Sequence, residues 1–131
     1  MNKKTESNGL NGTIPSELSS LQYLESLLLQ DNALSGPLPN QFGLLDHLRA
    51  LSLAGNALTG SIPVGLYNMN SLATLILDNN KLVGTLIGPE LVQWQSTLGL
   101  LSLPGNSLTG TIPTEIGLLT NLCEFRTGVD P

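Results

Sequence analysis

The sequence predicts a short right-handed α/β solenoid, with a parallel β-sheet on the concave face and loops or short helical turns on the convex face. Three observations predict it. Asn8, Asn32, Asn56, Asn80 and Asn106 recur at intervals of 24, 24, 24 and 26 residues. A Leu follows each two residues later (Leu10, Leu34, Leu58, Leu82, Leu108), and a Gly two further on (Gly12, Gly36, Gly60, Gly84, Gly110). Thirty of the 131 residues are Leu while aromatics make up only 4%, so one packing environment is repeated many times rather than filled irregularly.

Each element of the coil follows from a local signal. Leu-x-x-Leu-x-Leu precedes the Asn at Leu24, Leu27, Leu29; at Leu48, Leu51, Leu53; at Leu72, Leu75, Leu77; and at Leu98, Leu101, Leu103. Alternation at period two marks a half-buried strand. The Asn at the strand exit sits where a turn leaves backbone groups unpaired, and its amide both donates and accepts. Stacked coils line these amides into a ladder, and loss of an inner rung costs about 1–3 kcal/mol. Gly permits the next bend, and the Pro of Ile14-Pro15, Leu38-Pro39, Ile62-Pro63 and Ile112-Pro113 fixes φ as the chain leaves it. In the stretch that follows, Leu18 and Leu21 are three apart, which suits a short helical turn. No coil buries its leucines alone, so stability comes from stacking. Parallel crossovers give the right hand.

The coils divide as a partial coil 1–23, full coils 24–47, 48–71, 72–97 and 98–121, and a partial coil 122–131. The coil 72–97 has two extra residues: Gly84-Thr85-Leu86-Ile87-Gly88-Pro89 replaces Gly-x-Ile-Pro, and the inward positions of the following segment are ambiguous. Trp94 lies there, read as a gap filler on the convex side, with a contact knob as the alternative. Both ends are ragged. Lys3 and Thr5 stand where inward Leu belongs, Thr127 replaces Leu, and Asp130 falls on the Asn column. The expectation is a piece of a longer array; the alternative is a small protein with improvised caps.

The motif Leu-x-x-Leu-x-Leu-x-x-Asn-x-Leu-x-Gly-x-Ile-Pro resembles the plant-specific class of leucine-rich repeat, over roughly Asn8 to Asp130. That class is found in receptor-like kinase ectodomains and in secreted polygalacturonase inhibitors. The resemblance implies a non-enzymatic recognition module of a receptor-like protein, at the cell surface or outside the cell, with a protein, peptide or glycan ligand. It equally admits a soluble inhibitor of a secreted enzyme, and a structural spacer is the reading from another class. The paired cysteines that often cap the family's arrays are missing here.

Chemistry is hard to find in the residues. His47 is the single histidine and Cys123 the single cysteine; three coils, about 14 Å, separate their positions, which excludes a nucleophile–base contact. No His pair exists to hold a metal, no Gly-rich loop opens a helix, and no cofactor is expected. A net charge of −5 with five Lys and Arg provides no footprint for nucleic acid. No apolar run is long enough for a signal peptide or a membrane span. Asn11-Gly12-Thr13 is an N-glycosylation sequon, relevant if the chain is secreted.

What remains is surface. Residues flanking the inward Leu side chains point out of the concave sheet in columns. One runs Ser26, Ala50, Thr74, Leu100, Glu124; the next Leu28, Ser52, Ile76, Ser102, Arg126; beyond come Gln30, Ala54, Asp78, Pro104. The candidate binding face is Ser26, Leu28, Gln30, Ser52, Thr74, Ile76, Asp78, Leu100, Ser102 and Arg126. Five strands about 4.8 Å apart, each about 10–13 Å long, give roughly 300 Å², against about 800 Å² per partner in a standard interface. A second surface, around the Gly column, carries Asn11/Thr13, Ser35/Pro37, Thr59/Ser61, Val83/Thr85 and Thr109/Thr111. Its hydroxyl columns resemble ice-binding arrays, interrupted at Pro37 and Val83.

Overall fold

A computed structural model describes residues 8–128; Lys3, Thr5 and Asp130 lie outside the described residues. Among the described residues ten short strands run in chain order: β1 Asn11–Thr13, β2 Ser26–Leu28, β3 Ala33–Pro37, β4 Ala50–Ser52, β5 Ala57–Thr59, β6 Thr74–Ile76, β7 Val83–Gly84, β8 Leu100–Ser102, β9 Ser107–Leu108 and β10 Glu124–Arg126. The even-numbered strands form one five-stranded parallel sheet in the order β10-β8-β6-β4-β2. Its register sets Ser26, Ala50, Thr74, Leu100 and Glu124 side by side, and Leu28, Ser52, Ile76, Ser102 and Arg126 side by side. These are the two columns expected from the repeat.

The Asn ladder fixes that register. The Asn80 side chain accepts from the Leu58 N–H at 3.0 Å and donates to the carbonyls of Leu53 (2.9 Å), Leu77 (3.1 Å) and Asp78 (3.2 Å). Asn56 and Asn106 repeat the pattern one coil down and one coil up. Asn32 accepts from Leu10 N–H and donates within its own turn. Asn8 holds the first Asn position of the repeat and is exposed. Each inner amide thus ties its own coil to the one before it, which is why the strand exits stay in phase.

The remaining strands are an addition to the expected architecture. The flank read as loop pairs into two further parallel sheets, β1-β3-β5 and β7-β9. Their register advances two residues less per coil than that of the concave sheet: 22 rather than 24 in β1-β3-β5, as in Ser35 opposite Ala57, and 24 rather than 26 in β7-β9, as in Val83 opposite Ser107, so these strands slant relative to the concave sheet. The repeat glycines within these strands or just after them take positive φ, from 75° at Gly60 to 87° at Gly84. Helical turns close the convex side: 3₁₀ turns Ser16–Ser20, Asn40–Leu44, Val92–Trp94 and Thr114–Leu118, and one-turn helices α1 (Val64–Tyr67) and α2 (Gly88–Leu91).

The core is a stack of leucines. Leu48, Leu51, Leu53, Leu72, Leu75 and Leu77 are fully buried, and the corresponding Leu24, Leu27 and Leu29 of the coil below are only partly so. The expanded coil keeps the convex core in phase. Its inward positions are Leu91 and Trp94, continuing Phe42–Leu66 and Leu45–Met69. One extra residue falls before α2, and the other between Trp94 and Leu98, where four residues separate positions otherwise three apart. Trp94 is buried and stacks on Tyr67, centroids 4.7 Å apart, so it fills the gap rather than making a surface knob.

Candidate binding surface

The concave sheet brings the candidate residues together without presenting them all equally. Leu28 is 58% exposed, whereas Ser52 and Ser102, in the same column, are 9% and 2% exposed. The expectation that this whole column projects into solvent is corrected: the small side chains lie sunken between bulkier neighbours on the adjacent strands. Ser26 and Gln30 are exposed, and Thr74, Ile76, Asp78 and Leu100 are half-buried. Arg126 is exposed and ion-paired with Glu124 on its own strand. Two polar atoms on this face are buried without a protein partner, Asp78 Oδ1 and Ser102 Oγ.

The strand-entry edge shows a second ladder that the sequence reading missed. His47 Nδ1 lies 2.9 Å from the Gln22 carbonyl, Ser71 Oγ donates to the Asp46 carbonyl at 2.6 Å, and Asn121 Nδ2 donates to the Ser96 carbonyl. A carbonyl only accepts, so Nδ1 of His47 carries the proton. The Tyr23 ring, 86% exposed, leans on His47 with centroids 5.6 Å apart. The signal for this ladder was present as polar residues at one repeat phase, but their identities differ in every coil.

On the flanking sheets Asn11 and Thr13 of the sequon are exposed on β1. Of the hydroxyls there, Ser35 and Thr109 reach the carbonyls of Gly12 and Gly84, each at 3.5 Å. In the convex core, Tyr67 accepts from the Ile87 N–H at 3.2 Å. Burial pushes its hydroxyl above the ordinary tyrosine range; the Ile87 N–H opposes this and Glu90 adds to it. Among the described residues no group of three or more His, Cys, Asp or Glu is placed to hold a metal ion. No helix among them is long and apolar enough to cross a membrane.

A leucine-rich-repeat family model matches residues 22–82. The fold is that of solved leucine-rich-repeat ectodomains. This chain is a leucine-rich-repeat protein. It is 33% identical to the plant peptide hormone receptor RGFR1, solved in complex with RGF2, over 90% of this chain and 19% of the receptor, with a TM-score of 0.86. It is 32% identical to the ectodomain of the receptor kinase SOBIR1 from Arabidopsis thaliana, over 93% of this chain and 66% of that one, with a TM-score of 0.84. A plant ice-binding protein is 36% identical over 82% of this chain and 34% of its own, with a TM-score of 0.76. The chain therefore spans about a fifth of the hormone receptor and about two thirds of the shorter ectodomain. No curated protein matches it. The leucine-rich-repeat module is of a kind that binds rather than catalyses, and no kinase domain lies within these residues.

Proposed function

We propose that this leucine-rich-repeat chain is a recognition module of a cell-surface, receptor-like protein, binding a peptide or protein ligand across its concave sheet. The observation that carries the reading is the in-register five-stranded sheet itself. It places the apolar Leu28, Ile76 and Leu100 beside hydrogen-bonding groups with no other duty, Asp78 Oδ1 and Ser102 Oγ. Buried polar atoms without partners cost stability unless something completes them. Likeness to a peptide hormone receptor supports the same reading. The small area of the face argues that the ligand also touches coils beyond these. In this setting the exposed Asn11 is the glycan acceptor, on a flank away from the concave columns.

The test is binding by the protein in its natural full-length form, measured by calorimetry against a library of secreted peptides. A ligand of the concave face loses at least about tenfold in affinity when Leu28, Ile76 and Leu100 are changed together to Ala, because about 1.4 kcal/mol is a factor of ten. No binder in the library, or binding indifferent to the triple change, overturns the reading.

One observation favours a second reading, ice binding: the likeness to a plant ice-binding protein joined to the exposed hydroxyls Thr13, Ser61, Thr85 and Thr111 at one repeat phase. Pro37 breaks that column, and Val83 breaks its neighbour. Thermal hysteresis that disappears in a Thr13→Leu/Thr85→Leu variant would establish it; a flat freezing point disposes of it.

A further inference from the structure

The concave face carries a period of two coils, not one. In the column Leu28, Ser52, Ile76, Ser102, Arg126, large and small side chains alternate, and the small ones are the buried ones. The turn beyond alternates in step. Asp31 and Asn79 hold left-handed backbone at φ 57° and 54°, and Gly55 and Gly105 hold it at 67° and 72°. A Cβ at Gly55 would collide with the Asp31 carboxylate, and one at Gly105 with the Asn79 amide. Each bulky coil therefore leans over the small one above it. The face is corrugated, with ridges at Leu28 and Ile76 and floors at Ser52 and Ser102. The neighbouring column, where Leu100 breaks any alternation, does not share this period.

Strands about 4.8 Å apart make the corrugation about 9.6 Å long. A ligand laid across the strands must present matching groups at that interval. A β-extended peptide repeats on one face every 6.6–6.8 Å or so, and an α-helix has a pitch of about 5.4 Å. A polyproline II helix has three residues per turn at about 3.1 Å each, or about 9.3 Å. Over the two periods present the mismatch accumulates to only about 0.6 Å. Polyproline II also has no internal hydrogen bonds, so its carbonyls are free to accept. The floor of the second trough holds the group that would supply one: Ser102 Oγ is buried with no partner, as is the nearby acceptor Asp78 Oδ1.

We infer that the concave face takes a peptide in the polyproline II conformation, lying across the strands with every third residue over a trough. Pro occupies the intervening positions, and a donor-bearing residue such as Lys faces Asp78. The inference rests on the recognition reading above and specifies the ligand's backbone. The side chain of Arg126, on the strand beside Ser102 and ion-paired with Glu124, forms the wall of the second trough.

The test compares three synthetic nonapeptides with equal charge on the full chain, by calorimetry at moderate salt: triplets of Pro-Pro-Lys, Gly-Gly-Lys and Thr-Thr-Lys. The Pro-Pro-Lys peptide should bind at least about tenfold tighter than either control. Amide shifts on the unmutated protein should centre on Ser52, Asp78 and Ser102. Ser52→Leu with Ser102→Leu, filling both troughs, should abolish the preference, while Ser102→Thr keeps it. Equal binding of all three peptides would show charge alone and overturn the inference. A Thr-Thr-Lys preference would overturn it while leaving concave recognition standing, and so would a natural ligand that binds this face as a helix. Shifts located off the concave face overturn it even if the filled-trough variant fails to fold.

Discussion

The coil 48–71 and the coil 72–97 are neighbours built to the same plan, and they differ in how well that plan closes. In the first, Leu66, Tyr67 and Met69 are fully buried and no buried side-chain polar atom is left without a partner. In the second, two extra residues are absorbed and Leu91 and Trp94 still point inward, yet Asp78, Glu90, Trp94 and Thr97 each hold a buried, unpartnered polar atom. Among the described residues only Ser102 adds to that set. Phase in this fold is therefore set by the Asn turns and the leucines. The convex segment follows them, and its extra length leaves polar atoms of Glu90, Trp94 and Thr97 unsatisfied.

The largest effect that tests this contrast is in the core column Leu45, Met69, Trp94, Leu119. Trp94→Ala should cost about 3–5 kcal/mol and Met69→Ala about 2–5 kcal/mol in urea unfolding. Trp94→Phe is the sharper variant. It shrinks the ring but removes an N–H that has no acceptor, so it should cost well under half of the Ala change. A Trp94→Ala cost below about 1 kcal/mol, the level of an ordinary substitution, would show the expanded coil to be loosely packed and not held in phase by its ring.

Next in size is the ladder. Asn80 makes four hydrogen bonds and is 8% exposed. Asn80→Ala should cost about 1–3 kcal/mol, because the Leu58 N–H then lies buried and unpaired, while the Leu53, Leu77 and Asp78 carbonyls each lose one of their donors and keep those of Asn56, Asn106 and Gly55. Asn32→Ala should cost less: its groups are nearer solvent, and water replaces part of what the amide did. Equal shifts in the urea midpoint for the two variants would contradict a ladder whose strength comes from burial.

Most of this fold was legible because its determinants repeat. Five Asn and the Leu triplets define the concave strands, their register and the ladder, since a period of two and a buried amide each leave a fixed residue type. The flanking sheets were not legible. Their strands hold Asn-Gly-Thr, Ala-Leu-Ser-Gly-Pro and Val-Gly, which lack alternation and include Gly and Pro, and they pair only because the ladder brings them together. The expanded coil was ambiguous because its two extra residues enter at separate places. On the candidate surface, sequence gave the columns but not their relief: whether Ser102 is exposed depends on Ile76 and Arg126 on the adjacent strands, not on its own strand.

The smallest effect separates the two coils at high pH. Tyr67 belongs to the first coil but its hydroxyl serves the second, accepting from Ile87 N–H and lying near Glu90. Its folded ionisation lies above the unfolded value of about 10. In the interval between the two values the folded state binds more protons than the unfolded one, so stability falls as pH rises. This contribution is complete below about pH 10 and is lost above it. Melting temperature measured from about pH 8 to 11 should therefore drop more steeply for the native chain than for Tyr67→Phe. At neutral pH the same variant should cost only about 0.5–1.5 kcal/mol, the net worth of one hydrogen bond. Parallel alkaline slopes for the two proteins would mean that the hydroxyl is not the group that couples the regular coil to the expanded one.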